Sequence, residues 1–183
     1  MLAAVAICGG EVFIPGMKQD SIQGDTGFVS LMMNMGCESR WNNEGAYLSR
    51  DPHMALQGLS VDLKDMSDLV PTVVAVALFA QGPSTITGVG FIRNKESDRL
   101  GDLAKELHKC GAKVSVLDDG LEISPHPLHG ATLATHHDHR LAMAFGLVAL
   151  QVPEVLVEEP DVVSKSWPMY WEVREQMLRS CRE

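Results

Sequence analysis

The sequence predicts an α/β (α+β) fold: one domain of three repeated helix–strand–helix–hairpin units wound around buried helices. Three observations predict it. Segments recur at a spacing near 72 residues. Apolar, Ala-rich stretches at helical spacing alternate with short β-branched runs. An amphipathic helix then leads into paired strands. Repetition at a fixed period is the signature of a fold built from one supersecondary unit.

The repeat is visible in the glycines. AVAICGGEVFIPG (4–16) resembles VALFAQGPSTITG (76–88), pairing Gly10 with Gly82 and Gly16 with Gly88. MNMGCESRWNNEGAYL (33–48) resembles LHKCGAKVSVLDDGLEI (107–123), pairing Gly36 with Gly111 and Gly45 with Gly120. A weaker third copy is LVALQVPEVLVEEP (147–160).

The middle unit shows each element most clearly. A helix is expected over Asp68–Ala80, where Leu69, Val73, Val76, Ala77 and Ala80 share a face. Gly82 and Pro83 break it, and Ser84–Thr87 reads as a strand. A second helix over Asp98–Cys110 groups Leu100, Leu103, Ala104 and Leu107, with Gly111 as its C-terminal cap. Lys113–Leu117 and Leu121–Ser124 follow as strands joined at Asp118-Asp119-Gly120. The first helix of a unit is apolar nearly all round and belongs in the middle, whereas the second is amphipathic and faces water. The start, MLAAVAICGG, reads as a helix cut midway, without the basic stretch of a signal peptide. It suggests a domain taken from a longer chain.

The net charge of −9 and pI near 5.2 argue against a nucleic-acid or anionic-membrane binder, which needs a basic face. They do not argue against a small anion, which feels a local cluster. Cys8, Cys37, Cys110 and Cys181 are widely spaced without a CxxC pair. That pattern fits buried thiols in a reducing compartment, with a cytoplasmic location expected.

Charged residues gather in four places. In FIRNKESDRL (91–100), Lys95 and Arg99 flank Glu96 near an expected helix start. Cations there oppose the macrodipole and suit the gripping of a phosphate or carboxylate. The bland alternative is a solvated helix start with local pairs Lys95–Asp98 and Lys95–Arg99. In THHDHRLAMAFGL (135–147), adjacent positions of a His/Asp run do not converge on one metal ion, so an anion site with Arg140 as the fork and His139 as a donor is favoured. In EEPDVVSKSWPMYW (158–171) the candidate is Lys165, otherwise a surface lysine. In DMSDLVPT (65–72) Asp68 precedes an apolar helix, where a plain N-cap is the structural reading. Each place leads into a helix, so the four are expected on one side of the domain, with Asp68 and Glu96 available for proton transfer.

DLKDMSDLVPT, RNKESDRL, DHRLAMAFGL and SKSWPMYW, in this order and joined by DSIQGDTGF (20–28), resemble the C-terminal half of the 5-enolpyruvylshikimate-3-phosphate synthase family. The resemblance covers essentially the whole chain, 1–183. It implies one domain of an enolpyruvyl transferase inverse α/β barrel, with the N-terminal domain absent. It further implies transfer of the enolpyruvyl group of phosphoenolpyruvate to the 5-hydroxyl of shikimate 3-phosphate. That reaction is an addition–elimination releasing phosphate, without metal or organic cofactor, in aromatic amino acid biosynthesis, with glyphosate as inhibitor.

By the same resemblance Asp68 matches the proposed general base, Lys95 the lysine near the reacting hydroxyl, and Glu96 the acid that protonates the methylene. Arg99, Arg140 and Lys165 match the cations that hold phosphoenolpyruvate, and His139 the histidine beside them. Phe91 departs from the polar residue common in the family. The partners implied are the two substrates and the family's N-terminal domain, with no nucleic acid and no membrane. The isolated chain is expected to be inactive. Alternatives are a stand-alone module for small phosphorylated anions and the sister transferase acting on UDP-N-acetylglucosamine, which lacks the KESDR pattern.

Overall fold

Alanine and valine decide where the helices go. Leu2–Cys8 (α1), Val70–Ala77 (α3) and His139–Val148 (α5) are the Ala-rich helices of the three units. Their side chains Ala3, Ala6, Val73, Val74, Val76, Ala144 and Phe145 are all essentially inaccessible. Small side chains let backbones approach closely, and α3 packs against both α1 and α5. Burial of each valine removes about 1.5–3 kcal/mol of exposed apolar surface. The structure, a computed structural model, describes residues 1–19 and 25–180.

The first unit continues from α1 through Gly10–Pro15 (β1) and Asp25–Asn34 (α2) to Glu38–Asn42 (β2) and Gly45–Arg50 (β3). β3 lies between β1 and β2, antiparallel to both. The motif DSIQGDTGF lies largely outside the described residues, with only Asp25–Phe28 placed, at the start of α2.

The middle unit repeats this and adds a strand in front. Ser60–Asp62 (β4) pairs in parallel with Ser84–Thr87 (β5), and α3 crosses between them. Gly101–Lys109 (α4) then leads to the hairpin Lys113–Leu117 (β6) and Gly120–Ser124 (β7), with β7 antiparallel to β5. The hairpin turn is Asp118-Asp119, because Gly120 already pairs with Leu117. Gly111 takes φ +88 after α4, and the Ala112 N–H reaches back to the Leu107 carbonyl, the expected left-handed cap.

The third unit has Thr132–Leu133 (β8), α5, Leu156–Val157 (β9) and Tyr170–Ser180 (α6). β8 and β9 pair in parallel as β4 and β5 do. No closing hairpin follows α6 among the described residues, so the expectation of three hairpins is corrected to two. The leading strands β4 and β8 were not foreseen, since three and two residues are too short for periodicity to register.

Two helix starts also differ from expectation. The middle buried helix begins at Val70, because Lys64–Leu69 form a 3-10 turn instead. The amphipathic helix begins at Gly101, three residues late, with the Asp98 carboxylate accepting from the Gly101 N–H at 3.0 Å. As expected, Cys37 and Cys110 are buried free thiols; burial outweighs the nearby Arg50 charge and pushes the Cys37 thiol up to about 11. Cys181 lies outside the described residues.

Candidate functional site

A cleft of about 700 Å³ opens at the N-terminal ends of α3 and α5, beside α1. Met1, Leu2 and Ala3 of α1, Leu69 and Thr72 at α3, and His139, Arg140 and Met143 of α5 line it. The C-terminal ends line a separate cavity on which Ile7, Phe79 and Gln151 open. The starts of α3 and α5 carry a partial positive charge, and the Arg140 guanidinium lines the cleft beside them, a setting that suits an anion, although the Val70 N–H is already held by the Ser67 carbonyl and the Arg140 N–H by Asp138.

Arg99 is the hub beside this cleft. It sits between the 3-10 turn Gly90–Asn94 and α4, and its side chain is 1% exposed. Its Nε donates to Asp138 Oδ2 at 2.7 Å, its Nη1 to Asp68 Oδ1 at 2.9 Å and its Nη2 to Glu96 Oε2. Burial works against the charge, but Asp138, Glu96 and Asp68 together outweigh it and hold the guanidinium more firmly protonated. Asp68 also meets Arg140. Its Oδ2 accepts from Arg140 Nη2 at 2.9 Å, and its carbonyl from Nη1 at 3.1 Å. Asp68, Glu96, Arg99 and Arg140 therefore form one connected network, drawn from three separate stretches of sequence.

Asp68 is not the N-cap of α3. It lies in the preceding 3-10 turn, and the capping position, Leu69, has no side-chain cap. The cap expected there occurs at α5, where Asp138 Oδ1 accepts from the Arg140 N–H at 2.8 Å. Nor do Lys95 and Arg99 occupy the first turn of α4. The local pairs expected there give way to Arg99–Glu96 and Arg93–Asp98. Lys95 caps the 3-10 turn Gly90–Asn94, exposed and without a side-chain ion pair among the described residues. Phe91, in the same turn, is also exposed. Lys165 ends the corresponding 3-10 turn of the third unit, Pro160–Lys165, next to the cleft residues Ser166 and Trp167.

The four residues of the HHDH run point four ways, which is why adjacency defeats metal binding. His136 meets Glu106, His137 lies 3.3 Å from Glu159, Asp138 holds Arg99, and His139 lines the cleft. His139 is nearly buried, and its Nδ1 has no hydrogen-bond partner among the described residues. Burial is the largest influence on it and lowers its pKa; Asp138 pulls the other way, while Lys165 and Arg140 add to the lowering. The imidazole is thus neutral at neutral pH.

Asp138 is the residue sequence reading passed over. It is fully buried. Burial would raise its pKa, but the hydrogen bonds from Arg99 and from the Arg140 N–H prevail, and the carboxyl sits below its usual range. An Asp directly before an apolar helix was the available signal, and it was spent on Asp68 instead. Tyr170 and Trp167 close the apolar side of the cleft, with the Tyr170 hydroxyl donating to the Met143 carbonyl at 2.6 Å.

Residues 1–173 match the family described as EPSP synthase (3-phosphoshikimate 1-carboxyvinyltransferase). The chain belongs to the EPSP synthase family. Among relatives named 3-phosphoshikimate 1-carboxyvinyltransferase, that of Methanospirillum hungatei is 40% identical over 170 residues, covering 93% of this chain and 40% of the relative. That of Nostoc punctiforme is 38% identical, covering 96% of this chain and 41% of the relative. The chain thus spans about two fifths of the length of these family members. Among solved structures, the EPSP synthase of Acinetobacter baumannii superposes with a TM-score of 0.83 at 24% identity, covering 96% of this chain and 44% of that one. The enolpyruvyl transferase NikO of Streptomyces tendae gives 0.73 at 18%, covering 96% and 42%. At these identities the likeness speaks for the fold, which is that of the enolpyruvyl transferases. No helix among the described residues is long and apolar enough to cross a membrane.

Proposed function

We propose that this chain is the phosphoenolpyruvate-side, C-terminal domain of a 3-phosphoshikimate 1-carboxyvinyltransferase, working in the cytoplasm and completed by an N-terminal domain. The observation that carries the reading is the Asp68–Arg99–Arg140–Glu96 network beside a cleft at the starts of α3 and α5. Family membership gives the reaction class, and the network supplies what that class needs.

Both substrates are polyanions, and cations already fixed in place lower the cost of gathering their charge. Arg140 and Lys165, on the cleft side, hold the phosphoenolpyruvate phosphate and carboxylate, with Arg99 behind them. His139, neutral, offers an N–H without adding charge. In the addition step the 5-hydroxyl oxygen of shikimate 3-phosphate bonds to C2 of phosphoenolpyruvate. Asp68 takes the hydroxyl proton with Lys95 nearby, and Glu96 gives a proton to the C3 methylene. In the elimination step C3 returns a proton and the C2–O bond to phosphate breaks. A site shared between two domains loses orientation and donors when halved, so this chain alone does not turn over.

The test is a titration of the 183-residue chain with phosphoenolpyruvate, following backbone amides by NMR. Shifts centred on Lys95, Arg99, Arg140 and Lys165, followed by turnover when the N-terminal half of a relative is added, are expected. Saturable shifts elsewhere, with these four unmoved, would overturn the assignment. Binding without turnover in the complemented mixture would favour a stand-alone phosphoanion module.

A further inference from the structure

Behind Asp138 lies a second carboxylate-centred cluster that the proposed reaction leaves unused. Glu106, on α4, is buried. Its Oε2 accepts from Lys109 Nζ at 2.5 Å and from the Ala134 backbone N–H at 2.8 Å. Its Oε1 lies 3.1 Å from His136 Nε2. One turn earlier on the same helix, Asp102 Oδ1 lies 3.6 Å from the other ring nitrogen, Nδ1. The His136 ring is therefore approached at both nitrogens from one helix.

The backbone at this place is unusual. His136 and His137 both take left-handed conformations, φ 50 and 58. Asp138 then turns back to an extended conformation, caps α5 and meets Arg99. Non-glycine residues stay in such conformations only where their surroundings fix them. Glu106 and Asp102 sit on α4 and Arg99 two residues ahead of it, so loop 134–138 is gripped at two points, from α4 and from the segment that leads into it. A buried carboxylate is a poor choice for stability alone, because desolvation offsets much of what its partners return. Burial indeed pushes the Glu106 carboxyl up, and only the combined Lys109, Ala134 and His136 contacts bring it below its usual range.

We propose that Glu106, acting through His136, is a positioning residue for the anion site: it fixes the left-handed turn that sets Asp138 against Arg99 and turns His139 and Arg140 toward the cleft. The proposal rests on the reading of Arg140 as an anion-holding residue. Glu106 itself touches no substrate; it decides where Arg140 starts from.

The test compares the 183-residue chain, wild type, Glu106→Ala and Glu106→Gln, in three measurements: denaturant stability, ligand-free amide positions over residues 138–141, which Glu106 does not touch, and affinity for inorganic phosphate and phosphoenolpyruvate. In the folded Glu106→Ala chain the amides move and affinity falls about tenfold, the scale on which a small misplacement acts. Glu106→Gln keeps a carbonyl for the Ala134 N–H and restores most of that loss. A merely structural glutamate would lower stability yet leave the affinity of the folded chain and those amides unchanged, and that result overturns the proposal. If Glu106→Ala does not fold, His136→Ala carries the same test, since it leaves Glu106 with Lys109 and Ala134. Failure of the wild-type chain to bind either anion would sink the anion-site reading instead, and the ligand-free amides would still decide the positioning role.

Discussion

Asp68 and Asp138 stand at corresponding places, each just ahead of a buried helix, and each carboxylate reaches Arg99. Their surroundings separate them. The Asp138 side chain is 0% exposed and caps α5, whereas Asp68 is 50% exposed and shares its second oxygen with Arg140 at the cleft. A fold made of repeats offers the same position more than once, and here one copy is buried as a cap while the other stays half-exposed beside the cleft. A buried charge is costly to orphan, and a half-exposed one is free to change partners.

The largest expected effect is on stability. Asp138→Ala takes from the Arg99 guanidinium its one fully buried partner, leaving it Asp68 and Glu96, and removes the α5 cap, at about 2–5 kcal/mol for a charge-assisted hydrogen bond and a cap together. Asp68→Ala should cost no more than about 1 kcal/mol, the range of an exposed pair. Denaturant unfolding of both variants checks the contrast; equal losses would break it.

The next effect is on pH dependence. The folded-state pKa of His139 is lowered, so between it and the ordinary value of about 6.5 the unfolded chain binds more protons. Its contribution is complete above about pH 6.5 and is lost as pH falls through the folded-state pKa. The Asp138 carboxyl is also lowered, and its contribution begins to be lost only below about pH 4. Thermal melts against pH should show two acid steps, with His139→Gln removing the upper and Asp138→Asn reducing the lower, which the lowered Glu106 carboxyl shares.

Third, Asp68→Asn releases Arg140 from an internal carboxylate, so inorganic phosphate should bind the isolated chain about two- to fivefold more tightly, the value of one exposed pair. Calorimetry would read this; weaker binding would mean that Asp68 orients Arg140 rather than competing for it. The smallest effect is that of Lys165→Met. Stability should move by less than about 0.5 kcal/mol, while the His139 pKa, followed by NMR, rises toward its ordinary value because a neighbouring positive charge is gone.

Much of this arrangement was legible beforehand, for reasons that differ by residue. Val73, Val76 and Leu103, Leu107 announced their helices through spacing, and Ser84–Thr87 and Lys113–Leu117 their strands through β-branching and alternation. The four charged places were expected on one side; the network joins three of them through Asp68, Glu96, Arg99 and Arg140, while Lys165 of the fourth stands outside it, next to the cleft residues Ser166 and Trp167. Capping was the weak point. Asp68 and Asp138 look alike in sequence, and only three-dimensional packing shows that the chain before α3 tightens into a 3-10 turn while the chain before α5 does not. The burial of Arg99 was equally hidden, because it depends on carboxylates 31 and 39 residues away. Glu106 reads as one charge on an amphipathic helix until the loop of His136 is folded over it.

The meeting of two helix N-termini at one end of a chain carrying −9 has a consequence for how a small anion would arrive. A small anion is repelled by the molecule from afar and welcomed only at close range. The two regimes differ in reach, and salt separates them. Raising ionic strength from about 0.01 M to about 0.15 M shrinks the Debye length from about 30 Å to about 8 Å. The distant repulsion is then erased while the short contact with Arg140 and the helix ends survives. Phosphate should therefore associate faster as salt is first added and more slowly only beyond that, the reverse of the monotonic slowing seen when opposite net charges steer an encounter.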